Sequence, residues 1–315
     1  MLLLALLASA CSSSASPSQD DVEQSTSTRP FDEYSPWNVP IPADPVLDED
    51  SDGMVGALTA DGGTGYALLS QYGIPVFEAD SSTPTVSVTC TAQGWGECPL
   101  EGQLVPVPDE AEPSPGTDAA MVVIDRGAGR VYDFWQAERQ DSGNWSTSWG
   151  TWAPIGGSGI GGEAGGGSGG ATGAGINLLA GLIRVTEIQA GDIDHALALV
   201  SNTSCPDVYR YPATKTDGTA TIDSCVPQGT RLQLDPSIDV EAIPGITPGE
   251  VAVAEALQTY GAYLRDSAGT ALGVAFEEPA DGLAAYEQVG FPWDYYNMPH
   301  IPWDSLRVLS DWDGS

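Results

Sequence analysis

The segment AAMVVIDRGAGRVYDFWQA, Ala119–Ala137, decides how the rest of the chain is read. Ala119–Asp125 is a short apolar run of strand length. Arg126–Gly129, RGAG, is a turn. Arg130–Ala137 then alternates, with Val131, Asp133 and Trp135 on one face and Tyr132, Phe134 and Gln136 on the other. A buried strand candidate, a Gly-containing turn and an alternating return segment predict a β-hairpin.

Working outward, the same signals recur. Thr85–Cys90 alternates, and Asp192–Val200, Val208–Ala213, Thr230–Leu234 and Ala271–Phe276 read as further strands between Gly- and Pro-bearing turns. One helix interrupts them. Thr247-Pro248-Gly249-Glu250 is a capping box with proline at the first helical position. Val253, Leu257, Tyr260 and Leu264 then share a face, which predicts a helix over about 248–264. The expected fold is mostly β, a sandwich or jelly-roll-like domain with one packed helix.

The ends and the middle differ in composition. Residues 1–10 open on a short apolar run, Leu2–Leu7, which fits the core of a signal peptide. Ala8-Ser9-Ala10-Cys11 resembles a bacterial lipobox, so Cys11 is the expected lipidation site; an ordinary signal peptide cut near Ala10 is the alternative. Residues 11–35 are Ser/Thr-rich and acidic and read as a tether. A single β-rich domain is expected over 36–315, broken by a Gly-rich loop at 156–175. A formal nucleophile-elbow match within that loop, Gly166–Gly170, is trivial, because glycine fills it and no strand-to-helix context flanks it.

Charge and cysteines narrow the function. Ten Lys+Arg face 44 Asp+Glu, a formal charge of −34, and Lys215 is the single lysine. Such a surface repels nucleic acid and anionic membrane, so membrane contact is expected only through the lipid. Besides Cys11 there are four cysteines, Cys90, Cys98, Cys205 and Cys225, an even number in a chain expected to be exported. Pairing by proximity, Cys90–Cys98 and Cys205–Cys225, is the simplest of three connectivities. No phosphate loop or dinucleotide fingerprint is present, and two histidines do not complete a zinc set. No cofactor is expected. Asp48, Asp50 and Asp52, followed by Gly53, have the spacing of a calcium loop, but Thr59 occupies the position of the bidentate glutamate. An acidic solvated turn is the plainer reading.

TEIQAGDIDHALAL, Thr186–Leu199, offers the strongest candidates for chemistry. Thr186 and Gln189 suit a capped helical turn that Gly191 would end. Alternation from Asp192 puts His195 on the apolar face with Ile193, Leu197 and Leu199, and turns Asp194 away. A lone histidine on such a face is more often structural; the functional reading makes His195 a proton carrier fixed by a carboxylate.

Several blocks resemble a family of secreted, β-rich bacterial proteins with fungal relatives. Its pattern G-L-x-R-x-x-E-x-x-x-G-x-I-x-H-A-L is met here by Gly181, Leu182, Arg184, Glu187, Gly191, Ile193, His195, Ala196 and Leu197. SPWNVPI (35–41), YRYPAT (209–214), PQGTRLQL (227–234) and LQTYGAYLRDSAG (257–269) continue the likeness. The resemblance implies a β-rich exported protein, carries no established activity, and brings forward Arg184, Glu187, His195, Arg231 and Asp266.

Aromatic rings stack on the apolar faces of sugars, and Trp135, Trp145, Trp149, Trp152 and the cluster Phe291–Trp303 supply many. The leading expectation is an exported surface lipoprotein acting on polysaccharide or cell-wall glycan, a glycoside hydrolase with paired carboxylates. Glu187 and Asp266 are the expected pair, with Asp118 and Asp194 in reserve, His195 assisting, Arg184 and Arg231 on substrate oxygens and Trp135 stacking. The alternatives are a non-catalytic glycan-binding module, and a polysaccharide lyase with a His or Tyr base and an Arg neutraliser.

Overall fold

The computed structural model describes residues 29–60, 62–160 and 170–310. Residues 1–10, Cys11, the tether to residue 28 and residues 161–169 of the Gly-rich loop lie outside the described residues. In chain order the elements are α1 (Ser51–Leu58), β1 (Tyr66–Leu68), β2 (Val76–Ala79), β3 (Thr85–Cys90), β4 (Leu104–Pro106), β5 (Met121–Asp125), β6 (Arg130–Trp135), β7 (Glu138–Arg139), β8 (Trp145–Thr147) and β9 (Trp149–Pro154). They continue with α2 (Val185–Ala190), β10 (Leu197–Ser201), β11 (Ser204–Tyr209), β12 (Val226–Gln228), β13 (Arg231–Leu234), α3 (Pro248–Thr259), β14 (Ala262–Ser267), β15 (Gly273–Ala275), α4 (Ala284–Glu287) and β16 (Leu306–Val308).

The fold is mostly β. Three sheets stack, a six-stranded one ordered β1-β15-β10-β14-β13-β16, a middle one β2-β5-β6-β9, and an outer one β4-β3-β8-β7. The hairpin forms the centre of the middle sheet, with Asp125 opposite Arg130 and Met121 opposite Phe134. Its two-residue period sorts side chains between two cores. Val131, with Val122 and Ile124, packs toward Ala198 and Tyr263 of the six-stranded sheet and Ala196 just before it. Tyr132 and Phe134 pack the other way, against Val88, Val105 and Trp145 of the outer sheet. A middle sheet buried on both faces needs apolar residues at both parities, which is why Ala119–Asp125 reads as a continuous apolar run.

Helices cover the far face of the six-stranded sheet. The Thr247 capping box forms as expected: Glu250 N–H donates to Thr247 Oγ1 at 3.2 Å, and Thr247 N–H to Glu250 Oε2 at 2.9 Å. The helix stops at Thr259, five residues short of the expected end, because Gly261 adopts a left-handed φ of +74° and the chain re-enters the sheet as β14. Leu264 still reaches the core of Val253 and Leu257, from a strand rather than a helix. Most of the C-terminal aromatic cluster joins this core, including Phe291, Tyr296 and Trp303.

Other boundaries also move. Asp48–Asp52 leads into α1, a helix the acidic composition concealed. α2 begins at Val185, with Arg184 rather than Thr186 as its cap, and ends at Gly191 in the left-handed region, φ 71°. Only Leu197–Val200 of the expected Asp192–Val200 strand pairs in the sheet, although the alternation holds: Ile193, Leu197 and Leu199 enter one core, Ala196 and Ala198 the other, and Asp194 is exposed. The expected strand Val208–Ala213 is displaced to Ser204–Tyr209. Both disulfides pair as expected, Cys90–Cys98 and Cys205–Cys225. The packed chain begins before Ser35: Phe31 is buried, and Trp37 is buried edge-on against Tyr263 at 4.8 Å. No helix among the described residues is long and apolar enough to cross a membrane.

Candidate active-site cleft

A cleft of about 1160 Å³ opens between the six-stranded and middle sheets. β6 supplies one wall, because its inward parity carries Trp135 after Val131 and Asp133. β14 supplies the opposite wall through an irregularity. Leu199 pairs with Leu264 but Val200 pairs with Asp266, so Arg265 is an extra residue in the β14 strand. In a regular strand, neighbours point to opposite faces. The bulge breaks that rule and lets both Arg265 and Asp266 line the cleft.

Asp266 is the centre of the site. Its Oδ1 accepts the backbone N–H of Gly173 and of Ser267, each at 3.0 Å. Part of the side chain faces the cleft, yet it is set deep in the wall. Burial, and then the negative charge of Asp217, push its carboxyl up to about 7 against the pull of Arg265 and the Gly173 N–H; Asp118 adds to the rise. Asp217 Oδ1 accepts the Ser267 hydroxyl at 2.7 Å and Gln228 Nε2 at 2.5 Å. One serine thus bridges the two carboxylates. Gly173 sits against both: a Cβ there would run into the Asp217 carboxylate. Asp118 stands at the mouth, accepting Trp135 Nε1–H at 3.2 Å. Lys215, the one lysine of the chain, also lines the cleft.

Beneath this floor lies Asp133, with no exposed surface. Its Oδ2 accepts the N–H of Leu178 at 2.7 Å and of Ala171 at 3.3 Å. Burial pushes it up to about 7 despite those two donors and Arg265. Arg265 Nη1 donates to the carbonyls of Leu178 and Ala180. The same stretch of chain, 171–180, is therefore tied from below by Asp133 and Arg265 and from the side by Asp266. It is the C-terminal end of the Gly-rich segment, and it forms part of the cleft wall through Ala171, Thr172 and Gly173.

Of the sequence candidates, Asp266, Asp118 and Trp135 meet in this cleft. Glu187, His195 and Arg184 do not line it. His195, 2 % exposed, faces Glu187 Oε2 through Nε2 at 3.1 Å and the Ala196 carbonyl through Nδ1 at 2.9 Å. Both ring nitrogens meet acceptors, an arrangement that suits the imidazolium. Burial opposes that charge, but the hydrogen bond and charge of Glu187 outweigh it and hold His195 above its ordinary value. Glu187, which burial alone would raise, is held low by His195 and by the N–H and charge of Arg184. Arg184 in turn pairs with Glu277 through Nε at 2.8 Å and Nη2 at 3.2 Å. These groups fasten α2 to the sheet. Arg231 is likewise structural, donating to the carbonyls of Tyr260 and Val39. Asp194 is exposed on another surface beside Arg29. Asp48 is engaged by Arg210 at 2.7 Å, Asp50 stands at the N-cap position of α1 without a side-chain cap hydrogen bond, and Asp52 lies in its first turn, so they do not converge as a calcium loop. No group of three or more His, Cys, Asp or Glu side chains among the described residues could hold a metal ion.

No protein-family model, curated protein or solved structure matches the chain. Asp217, Ser267, Gly173, Lys215, Asp133 and Trp95, a further ring lining the cleft, were not among the sequence candidates. Only Asp133 left a local signal, a charged residue on the same strand face as Val131 and Trp135. The others come from loops 40 or more residues away from Asp266 or from its strand end, and no local period marks them.

Proposed function

We propose that this protein hydrolyses glycosidic bonds of a polysaccharide, with Asp266 as general acid and Asp217 as the second carboxylate. The observation that carries the reading is the joining of these two aspartates through Ser267, in a tryptophan-walled cleft, with Asp266 raised to about 7. Glycoside hydrolysis needs one carboxyl that keeps its proton near neutral pH and a second that acts as base or nucleophile. Asp266 delivers its proton to the glycosidic oxygen as the bond to the anomeric carbon breaks. Asp217 supports the developing positive charge on the sugar and either attacks that carbon or activates the water that does. Gly173 N–H and Ser267 N–H fix Asp266 through Oδ1. Asp118 is the third carboxylate of the cleft.

Export fits this chemistry. The apolar leader and Cys11 would deliver a lipid-anchored protein to the cell surface, and two disulfides suit an oxidising compartment. The test is product release from a panel of neutral and uronic polysaccharides. Hydrolysis gives new reducing ends without ultraviolet absorbance from an unsaturated product. Loss of those ends in folded Asp266→Asn and Asp217→Asn supports the proposal. An unsaturated product would establish a lyase, and glycan binding without any product a binding module.

A further inference from the structure

We infer that Trp95, mounted on the Cys90–Cys98 loop, is the outer platform of a subsite for a neutral pyranosyl chain that runs into the cleft; this rests on the hydrolase reading above. Trp95 is 60 % exposed. Leaving so large a ring in water is unfavourable, and stacked exposed aromatics mark binding surfaces. The exposure is built rather than accidental. Gly94 and Gly96 flank the ring at φ +87° and +96°, a backbone that side-chain-bearing residues rarely adopt, and a disulfide spanning eight positions closes the loop around them. Beneath Trp95 lies a supporting layer. Trp135 stacks under it at 5.7 Å and 25°, and Trp149 meets it at 6.1 Å. Trp135 is itself fixed by its hydrogen bond to Asp118. All three rings line the same cleft as Asp266 and Asp217.

The ligand class follows from shape and charge. A flat indole face pairs with a ring whose axial C–H bonds make an apolar face and whose equatorial hydroxyls point sideways. That describes gluco- and xylo-configured pyranoses. A nucleotide has a flat face too, but its phosphates meet a protein of formal charge −34 and a cleft lined by Asp118 and Asp217. The same repulsion disfavours uronate and sulfated chains. The cavity exceeds the range of about 300–1000 Å³ usual for small ligands, which suits an oligomer rather than a single sugar.

Calorimetric titration of the purified protein with β-1,4-linked gluco- and xylohexasaccharides, and a hexauronate for comparison, tests this. The expected result is binding of at least one neutral hexasaccharide. Affinity should fall about tenfold or more in Trp95→Ala, and similarly in the Cys90→Ser/Cys98→Ser double variant, while Asp266→Asn keeps it. Because Trp95 is a surface ring on a loop, its removal leaves the cores intact, and unchanged thermal unfolding verifies this. Equal affinity in Trp95→Ala, hexauronate bound as tightly as the neutral chains, or no binding of either neutral hexasaccharide would overturn the inference. Trp95-dependent binding with no turnover by the unaltered protein would instead sink the hydrolase reading and leave the platform standing.

Discussion

Asp217 and Asp266, from segments nearly fifty residues apart, are held by a single serine: Ser267 donates its backbone N–H to Asp266 and its hydroxyl to Asp217. Two carboxylates sharing one mount cannot change position independently. Their mutual repulsion also contributes to keeping Asp266 protonated. Replacing Asp266 by Asn should lower kcat on polysaccharide by about 10²–10⁴-fold, the usual worth of a general acid, with oligosaccharide affinity preserved. With protonated Asp266 as the proposed acid, the wild-type rate should fall as pH rises through about 7. A pH–rate profile with no loss on the alkaline side would remove Asp266 from that role.

Gly173 should tolerate no side chain. A methyl group there meets the Asp217 carboxylate and displaces the N–H that Asp266 accepts. Gly173→Ala is expected to lose most activity while its circular dichroism and unfolding midpoint stay close to those of the wild type. Full activity in this variant would show that the two aspartates do not work from these positions.

Glu187 and His195 should matter for stability rather than chemistry. Removing one partner of a buried ion pair costs about 3–5 kcal/mol, so Glu187→Gln should unfold at markedly lower urea concentration, with near-normal kcat in the folded fraction. The pH dependence has two limbs. Glu187 is held below its ordinary value of 4.5, so its contribution is present above that pH and lost as pH falls through its folded value. His195 is held above 6.5, so its contribution is complete below that pH and lost as pH rises through its folded value. The pair is at full strength between these limits. A Glu187→Gln protein as stable as the wild type at about pH 5.5 would refute this assignment.

Asp133 gives the opposite pattern from an ordinary surface carboxylate. Its folded value of about 7 lies above the ordinary carboxyl value of 3.8, so the folded protein keeps a proton that the unfolded chain has released. Its contribution to stability is greatest below about pH 4 and declines as pH rises toward 7, with a slope of about 1.4 kcal/mol per pH unit. Asp133→Asn keeps an oxygen for the Ala171 and Leu178 N–H groups and should flatten this slope. Chemical denaturation of both proteins across that range measures the difference.

The Cys205–Cys225 disulfide closes a loop that contains Lys215, Thr216 and Asp217, with its ends paired between β11 and β12 at Ser204 and Val226. Opening a loop of this length should cost about 3 kcal/mol and release Asp217 from Ser267. Cys205→Ser/Cys225→Ser should therefore lose both stability and activity, read by thermal unfolding and product release.

Periodic, local features were legible in the sequence. The Ala119–Ala137 hairpin, the Thr247 cap, the parity of Ile193–Leu199 and both disulfides follow from near-neighbour chemistry, because two-residue alternation, a capping box and short cysteine spacing each act over a few residues. Boundaries set by competing elements were not. Tyr260 and Leu264 continue the helical spacing of Val253 and Leu257, yet Gly261 and the open position beside β10 turn that stretch into β14. The site was hidden for the same reason. His195 and Glu187, prominent in the sequence, are paired with each other, while Asp266 is placed in the cleft by a bulge, a glycine 93 residues earlier and an aspartate from a disulfide loop. The sequence determined which residues alternate, cap and cross-link. Tertiary structure alone decided which carboxylates are buried together, because burial and charge proximity are properties of neighbours in space that the order of the chain does not contain.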